Sequence, residues 1–276
     1  MQAGSDTNAF LIDVSKYENT VNWSHVAQAK IHGVLPVKAT LIRASQGLAV
    51  DPRFTANLSG ATAAGLYRGV YHSILPQGTT TSDIMASATA QATFFYNTVH
   101  QANGWAGHCL NPGVDIEVNP SGLNTTDYVD WVQQFLSVLA RLLGKTWPLK
   151  PMLYLNLNSW ETLLGRTQSL HSYPLWVAQW GVNAPTSFGG WADWLCWQWS
   201  SPGPLAGIQG NVDYDEWHSP TFPDPIATAS SSSSSSTSAS GTTTTQHPSS
   251  QATGVSLLDA WQTATTNLIE WAKGQL

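Results

Sequence analysis

Charged side chains are scarce in this sequence. Lysine, arginine, aspartate and glutamate together make up 10% of the 276 residues, and the formal net charge is -6. With 11 basic against 17 acidic residues, the chain has no positive field that would attract phosphates or anionic lipid. This composition excludes nucleic acid as an expected partner.

Cysteine is nearly absent as well. Cys109 and Cys196 are too few for a disulfide framework and do not have metal-ligand spacing. We expect both to be reduced and buried, with a single bridge left open as the alternative. The histidines are scattered and no pair has ligand spacing. The sequence therefore implies no metal and no organic cofactor.

Two kinds of targeting segment are missing. Residues 1–6 have neither the positively charged region nor the apolar region of a secretory signal. No stretch approaches the roughly 18 consecutive apolar residues of a membrane span, so we expect no integral membrane segment. The expected location is the cytoplasm until a separate pore releases the protein, or the outside of the cell by another export route.

Apolar runs that are typical of strands recur along the chain, and the earlier ones alternate with helical patterns. The expected strands are 10–15, 40–45, 66–73, 113–118, 151–156, 174–180, 194–199 and 212–217. The expected helices are 23–31, 54–64, 82–101, 127–143 and 160–164. Because this alternation builds parallel sheets, we predict an α/β fold over residues 10–226. It is an irregular, flattened β/α barrel, TIM-like and parallel, whose last third is poor in helices.

Composition divides the rest of the chain into three parts. Residues 1–9 form a short N-terminal tail, and residues 227–253 are nearly all Ser, Thr, Ala and Gly, which predicts a flexible linker. Residues 254–276 place apolar side chains on one side, which predicts an amphipathic helix. Isolated helices of this length are marginally stable in water. We therefore expect the helix to dock on the barrel, on another copy of the chain or on a partner.

The stretch 113–118 carries the clearest chemical signal. Successive side chains of a strand point to opposite faces, so Asp115 and Glu117 share one face, with β-branched residues on the other. Burying two carboxylates is costly unless they are paired or used. One interpretation is the acid pair of a glycoside hydrolase, in which one carboxyl group holds a raised pKa. The other is a buried structural pair.

Further carboxylates fall in the predicted strands. Asp13 lies in the first strand, and Asp213 and Asp215 lie in the eighth. The first and last strands of a closed barrel are neighbours, and the active site of a parallel β/α barrel lies at the C-terminal ends of its strands. The acids of strands one, four and eight should therefore converge on one mouth, which favours the hydrolase over the structural pair.

Short motifs follow one another along about residues 10–218. They are Leu11-Ile12-Asp13-Val14-Ser15, Ile42-Arg43-Ala44-Ser45-Gln46-Gly47, Asp51-Pro52-Arg53-Phe54, Gly69-Val70-Tyr71-His72, Asp115-Ile116-Glu117, Leu175-Trp176-Val177-Ala178-Gln179, and Trp197-Gln198-Trp199 leading through Gly207-Ile208 to Val212-Asp213. Each motif is weak alone. In this order and spacing they resemble the glycoside hydrolase family 25 muramidases, or lysozymes.

The resemblance implies an enzyme that cleaves the β-1,4 bond between N-acetylmuramic acid and N-acetylglucosamine in bacterial peptidoglycan. By position, Glu117 would be the general acid that protonates the leaving oxygen, and Asp115 would assist the charge developing at the anomeric centre. Asp13 and Asp213 would complete the acidic floor. The implied substrate-binding side chains are Tyr71, Tyr154, Trp176 and Gln179. The last two point to opposite faces of one strand, so the sequence leaves open which of them lines the site.

The chain departs from the family pattern at a few positions. Arg43 and Gln46 stand where Lys and Glu are common, Ser73 where Phe is common, and Asp215 where Asn is common. These positions touch the rim and the electrostatics of the implied site. They bear on substrate preference and pH optimum more than on the reaction.

Two other functions stay open at this level. A chitinase-like hydrolase also uses a barrel and an acid strand, but its additional Asp would stand where this chain has Gly113. A catalytically weak module that binds the cell wall would keep the barrel, whereas all four family acids are present here. A muramidase with a linker and a small C-terminal element is typical of an endolysin or of a bacterial wall hydrolase.

Overall fold

The computed structural model describes residues 8–107, 110–144 and 148–225. Its strands are β1 (Ala9–Val14), β2 (Lys30–Ile31), β3 (Leu35–Gln46), β4 (Ala49–Val50), β5 (Tyr67–Ser73), β6 (Gly113–Asp115), β7 (Met152–Leu155), β8 (Leu175–Ala178), β9 (Cys196–Pro204) and β10 (Asn211–Trp217). Its helices are a 3-10 helix (Lys16–Glu18), α1 (Trp23–Val26), α2 (Phe54–Ala63), α3 (Thr81–Gln101), α4 (Thr125–Leu143) and α5 (Leu157–Thr162). The expected linker 227–253, the expected helix 254–276 and Cys109 lie outside the described residues.

Eight of these strands close into a barrel, which confirms the predicted fold class. The order around the barrel is β1, β3, β5, β6, β7, β8, β9 and β10, and β10 returns to β1. Strands β2 and β4 are short antiparallel additions to β3. Between β8 and β10 the described chain contains no helix, as the sequence indicated for the last third.

The barrel is not wholly parallel, which corrects one expectation. Strands β1 to β9 around the barrel pair in parallel, but β10 runs antiparallel to both β9 and β1. A parallel crossover needs about a dozen residues or more, and the link 205–210 is too short for one. The chain therefore turns back as a hairpin, and the N-terminal end of β10 lies at the mouth formed by the C-terminal ends of the other strands.

Successive side chains of the strands point alternately into and out of the barrel, which creates one apolar layer inside the barrel and one outside it. Leu11, Leu41 and Trp176 belong to the cluster inside the barrel. Their chain neighbours Ile12 and Ile42 belong to the larger cluster between the sheet and the surrounding helices. The polar residues at the upper end of the inward-facing positions form the site described below.

The helices begin where the sequence supplies caps. The side chains of Thr80 and Asn124 accept hydrogen bonds from the backbone N–H groups of Asp83 and Asp127, which starts α3 and α4. The expected helix 23–31 ends early: only Trp23–Val26 is helical, because the next residues form the β2–β3 hairpin. Among the described residues no helix is both long and apolar enough to cross a membrane.

Candidate active site

Three carboxylates from β1 and β10 share the interior of the barrel. Asp13 stands opposite Asp213 in the antiparallel ladder, and Asp215 stands opposite Leu11 one layer deeper. Directly opposed like charges destabilise a sheet unless other groups compensate for them. Burial, followed by the charges of Asp215 and Asp213, raises the pKa of Asp13 well above its usual range. The arrangement therefore requires donors that hold these acids in place.

Gln198 of β9 supplies those donors. Its Nε2 group donates to Asp13 Oδ2 at 2.8 Å and to Asp213 Oδ2 at 3.3 Å. Its Oε1 atom accepts from the Tyr154 hydroxyl at 2.9 Å and from Trp180 Nε1 at 3.2 Å. Because two donors hold the amide oxygen, the NH₂ group must face the carboxylates. One buried amide thus links the acids of β1 and β10 to two aromatic side chains.

The second acid group lies on and just beyond β6. Asp115 is buried, and its Oδ2 atom accepts a hydrogen bond from Ser73 Oγ at 2.6 Å. Its Oδ1 atom is also buried but receives no hydrogen bond from the described residues. Glu117, two residues later on the same face, is exposed.

The pKa of Asp115 is raised well above its usual range. Burial contributes most, the neighbouring Glu117 carboxylate raises the pKa further, and the hydrogen bond from Ser73 lowers it. Asp115 therefore keeps its proton above the pH at which an ordinary aspartate loses it, as the sequence led us to expect for one of the two acids.

Tyr71 and Tyr154 flank the carboxylates on neighbouring strands. The Tyr71 hydroxyl donates to Asp13 Oδ1 at 3.5 Å, and Tyr154 donates to Gln198 as described. Burial is the main cause that raises the pKa of both phenols. Both side chains are therefore neutral donors at physiological pH.

Trp176 and Gln179 occupy different places in the structure. Trp176 is 1% exposed and lies inside the barrel, 4.6 Å from the Tyr154 ring and 5.6 Å from the Tyr71 ring, measured between centroids. Its position places it beneath the two tyrosines. Gln179 instead exchanges hydrogen bonds with Thr186, at 2.6 and 3.3 Å, and contacts none of the carboxylates named above.

Arg43 and His72 have structural partners nearby. The Arg43 Nε group donates to Asp51 Oδ2 at 2.8 Å, and both side chains are buried. His72 faces outward, stacked between Phe95 and Phe135, and burial lowers its pKa to about 3. His72 is therefore a neutral packing residue.

Sequence reasoning gave no role to two residues of this site. Gln198 is a neutral amide between two tryptophans, and Trp180 follows β8. The alternation Trp197-Gln198-Trp199 was the available signal for Gln198, since both tryptophans lie in the outer core and the glutamine must then point inward. The exposed ring of Trp180 gave no comparable signal.

The volume of a cleft does not by itself identify the active site of this barrel. A cleft of about 690 Å³ lies at the opposite end of the barrel, before β7, β8 and β9, with Lys150, Tyr173, Trp191 and Trp194 among its lining residues. Asp193 is its single acid. The converging carboxylates lie instead at the C-terminal ends of the strands, where β/α barrels carry their chemistry.

Across the described ranges, no group of three or more His, Cys, Asp or Glu side chains is arranged to hold a metal ion.

Comparison of the chain with known proteins also indicates a glycosyl hydrolase. The profile of Glycosyl hydrolases family 25 matches residues 12–208. Lysozyme M1 of Streptomyces globisporus is 35% identical over 216 residues, which are 75% of this chain and 67% of that protein.

Solved structures of lysozymes share the fold of this chain. The bacterial lysozyme from Streptomyces coelicolor is 31% identical with a TM-score of 0.64, over 77% of this chain and 93% of that one. A family 25 lysozyme from Aspergillus fumigatus is 26% identical with a TM-score of 0.61, over 76% and 94%. The profile, the sequence relatives and the shared barrel together show that this chain belongs to family 25 of the glycosyl hydrolases.

Proposed function

We propose that this family 25 glycosyl hydrolase is a muramidase that cuts the β-1,4 bond between N-acetylmuramic acid and N-acetylglucosamine in bacterial peptidoglycan. The observation that carries the proposal is the gathering of Asp13, Asp115, Asp213 and Glu117 at one mouth of the barrel. The similarity to Lysozyme M1 and to the bacterial lysozyme from Streptomyces coelicolor supports peptidoglycan as the substrate.

Glu117 is the general acid of this proposal. It lies just beyond the end of β6 and is exposed, so its carboxyl group is accessible to the glycosidic oxygen of a bound glycan. Asp115 is buried behind it, and its raised pKa keeps a proton within reach of Glu117. Glu117 passes a proton to the leaving oxygen as the glycosidic C–O bond breaks, and the water that adds to the anomeric carbon returns a proton to the carboxylates.

The remaining acids stabilise positive charge. Glycoside hydrolysis passes through a transition state that resembles an oxocarbenium ion. Asp13 and Asp213 place negative charge on the floor of the mouth, fixed by the Gln198 amide before substrate arrives. Asp115 Oδ1, which lacks a donor in the described chain, is free to accept a hydrogen bond from the sugar or from the proton of Glu117. Fixed groups of this kind need no reorganisation during the reaction.

The aromatic residues divide into supporting and binding groups. Tyr71 and Tyr154 are neutral donors in contact with the acids, and Trp176 supports both rings from below. Trp180 is 55% exposed while its indole N–H is fixed on Gln198, so its ring offers an apolar face to a sugar. Gln179 acts on the substrate indirectly in this proposal, by holding the loop that contains Thr186.

The decisive experiment digests purified peptidoglycan with the wild-type protein and with Glu117→Gln, followed by reduction of the products and mass spectrometry. We expect muropeptides with reduced muramic acid ends from the wild type and almost none from the variant. The matched control is Glu161→Gln, whose carboxylate pairs with Arg166 on the surface. A wall that stays intact while the wild-type protein sediments with it would show a binding module instead.

The bacterial cell wall is the proposed site of action. The products of the digestion above do not depend on how the protein reaches the wall, so access needs a separate measurement. Loss of turbidity after the purified protein is added to intact Gram-positive cells would show action from outside. Clearing only after the membrane has been permeabilised from within would show an endolysin-like dependence on release.

A further inference from the structure

Arg43 presents a fixed cation to the mouth of the barrel. It lies near the C-terminal end of β3, opposite Tyr71 of β5, and points inward as Leu41 does two residues earlier. Its side chain is 8% exposed, and its Nε group donates to Asp51 Oδ2 at 2.8 Å. No described residue accepts a hydrogen bond from either Nη group. Neither Nη atom is both enclosed and unpartnered, so solvent reaches each of them. Two donors of a buried cation thus face the mouth.

Asp51 holds this guanidinium with the help of other donors. Its Oδ2 atom also accepts from the Lys16 backbone N–H at 3.0 Å, and its Oδ1 atom accepts from the Arg53 backbone N–H at 2.9 Å. Because three donors share the charge of the carboxylate, the edge of the guanidinium that carries the Nη groups keeps positive charge to offer a ligand. The same contacts fix the 3-10 helix beside Arg43.

An exposed ring and a second cation lie next to this edge. Tyr17 of the 3-10 helix is 68% exposed, and the central carbon of the Arg43 guanidinium lies 5.2 Å from its ring centroid. Lys16 Nζ lies 5.2 Å from the same centroid. Cations at this distance are attracted to an aromatic face. We call Lys16, Tyr17 and Arg43 together the cation subsite.

The charge of the cation subsite is opposite to that of the rest of the mouth. The remainder is lined by the carboxyl groups of Asp13, Asp115, Asp213 and Glu117. Burial raises the pKa of Asp115, and the charge of Arg43 is among the causes that lower it, so the two groups interact across the mouth. An anionic group of a ligand is therefore repelled over most of the mouth and attracted at this side.

We propose that the cation subsite binds a carboxylate of the glycan, with the Nη groups of Arg43 on its oxygens and the Tyr17 ring against the sugar. A guanidinium matches a carboxylate in one plane through two parallel hydrogen bonds. Peptidoglycan offers carboxylates in two places, the lactyl ether of a muramic acid unit without peptide and the stem peptide. N-acetylglucosamine has none. The inference rests on the proposed function, since it assigns a substrate contact to the same mouth.

Two pairs of soluble glycans test the proposal and distinguish the two sources. The first pair is peptide-free strands whose lactyl carboxyl groups are free or converted to methylamides. The second pair carries stem peptides whose carboxyl groups are free or converted to methylamides. The ratio of KM for the methylamide to KM for the free acid measures the preference within one protein. We expect a ratio of about ten for the wild type in at least one pair, with kcat little changed, because charge-assisted hydrogen bonds are strong.

Three substitutions locate the preference. Arg43→Lys keeps a cation for Asp51 but has no second edge to face the mouth, so its KM ratio should fall to about one. Lys16→Gln should lower the ratio about twofold, because an exposed charge contributes less. It also tests the subsite if Arg43→Lys fails to fold. Lys38→Gln, an exposed position on the same strand β3, is the matched control and should keep the wild-type ratio.

Binding without turnover separates the cation subsite from the proposed function. Titration calorimetry of both glycan pairs with Glu117→Gln, alone and combined with Arg43→Lys, compares the Kd of the free acid with that of the methylamide. Equal KM and equal Kd values within both pairs would overturn the proposal, as would a preference that persists in Arg43→Lys and in Lys16→Gln. A preference confined to the second pair would assign the carboxylate to the stem peptide. If the wild type cuts no glycan but the free acid binds more tightly through Arg43, the proposed function fails and the cation subsite stands.

Discussion

At the scale of single residues, Gln198 allows two acids to stand opposite each other. Its amide donates to Asp13 and Asp213, while Tyr154 and Trp180 hold its oxygen. A charged side chain in the same place would either add to the repulsion or neutralise the acids. A neutral amide fixed by two donors does neither, and it preserves the negative floor.

Replacing Gln198 with Leu should damage both activity and stability. The loss of the amide leaves the buried Asp13 and the half-buried Asp213 without their shared donor, which costs about 1–3 kcal/mol of unfolding free energy. We expect kcat to fall by about a hundredfold, since the floor loses its fixed geometry. Urea unfolding and turnover of soluble glycan fragments measure the two effects. Gln133→Leu, at an exposed position on α4, should change neither.

Ser73→Ala should move the pH dependence of the reaction. The Ser73 hydrogen bond lowers the pKa of Asp115, so its removal raises that pKa further. The acid limb of kcat/KM, which depends on ionisation of Asp115, should shift to higher pH. Ser169→Ala at the surface is the control. An unchanged limb would show that the Asp115 carboxyl group does not titrate in the productive pH range.

Sequence reasoning identified the acids of this site but not the groups that hold them. Asp13, Asp115 and Glu117 could be found because a charged residue in an apolar strand is conspicuous. Gln198 is neutral, and its role depends on contacts with residues up to 185 positions away along the chain. For Trp176 and Gln179, alternation placed them on opposite faces, and only the tertiary structure shows that Trp176 faces inward.

At the scale of elements, β10 is the barrel strand whose direction the sequence did not predict. Its side chains point alternately inward and outward, as those of the neighbouring strands do, and this alternation is the same in parallel and antiparallel strands. The sequence could therefore predict the strand and its inward acids but not its direction. The short link after β9 was the available signal. Reversal of β10 places Asp213, near the start of that strand, beside Asp13, near the end of β1.

Strand β6 approaches its neighbours too closely for any side chain at its first residue. A Cβ atom on Gly113 would lie 2.7 Å from Tyr71 Cβ and 3.2 Å from the Trp176 ring. We expect Gly113→Ala to lower the unfolding free energy by about 1–3 kcal/mol, as overpacking does, and to reduce kcat by displacing Asp115.

Gly60→Ala is the matched comparison for Gly113→Ala. Its Cβ would lie 2.1 Å from the Trp23 ring, at the contact between α1 and α2. It should also lower the melting temperature by a few degrees while leaving kcat per folded molecule unchanged. Equal kcat losses in both variants would mean that general loosening, and not the position of Asp115, explains the effect.

At the scale of the whole molecule, buried titratable groups set two opposing pH dependences. His72 has a folded pKa of about 3, below its unfolded value, so folding loses stability as pH falls through the range from about 6.5 to about 3. Asp13, Asp115 and Asp215 have raised pKa values, mainly through burial. Their contribution is complete below about pH 4 and is lost as pH rises toward the folded pKa values.

The melting temperature should therefore peak near about pH 4, because above that pH the three carboxyl groups, which lose stability as pH rises, outnumber the single histidine. His72→Gln, which keeps a polar side chain beside Ser45 and Gln91, should flatten the acid side by up to about 1.4 kcal/mol per pH unit and steepen the decline between about pH 4 and pH 6.5 by the same amount. Scanning calorimetry across this range measures both limbs. If the melting temperature of the variant falls toward acid pH as steeply as that of the wild type, groups other than His72 cause the acid unfolding.

The C-terminal segments provide a prediction about domain independence. The barrel within 8–225 forms its own core and contains every residue placed in the site. Deletion of 227–276 should leave hydrolysis of soluble fragments and the melting temperature unchanged. Sedimentation velocity of the full and shortened chains tests whether the expected helix 254–276 mediates self-association. Loss of hydrolysis on deletion would show that these segments belong to the catalytic fold.

The pairing of β1 with β10 also governs when the enzyme first exists during its synthesis. Asp13 leaves the ribosome early, whereas Gln198 and Asp213, which complete the acidic floor, emerge only near the end of the barrel. A nascent or prematurely terminated chain that lacks β10 has neither a closed barrel nor a full set of acids. A cell that makes this wall-degrading protein is thus protected from its unfinished copies, because hydrolysis waits for the last strand to meet the first.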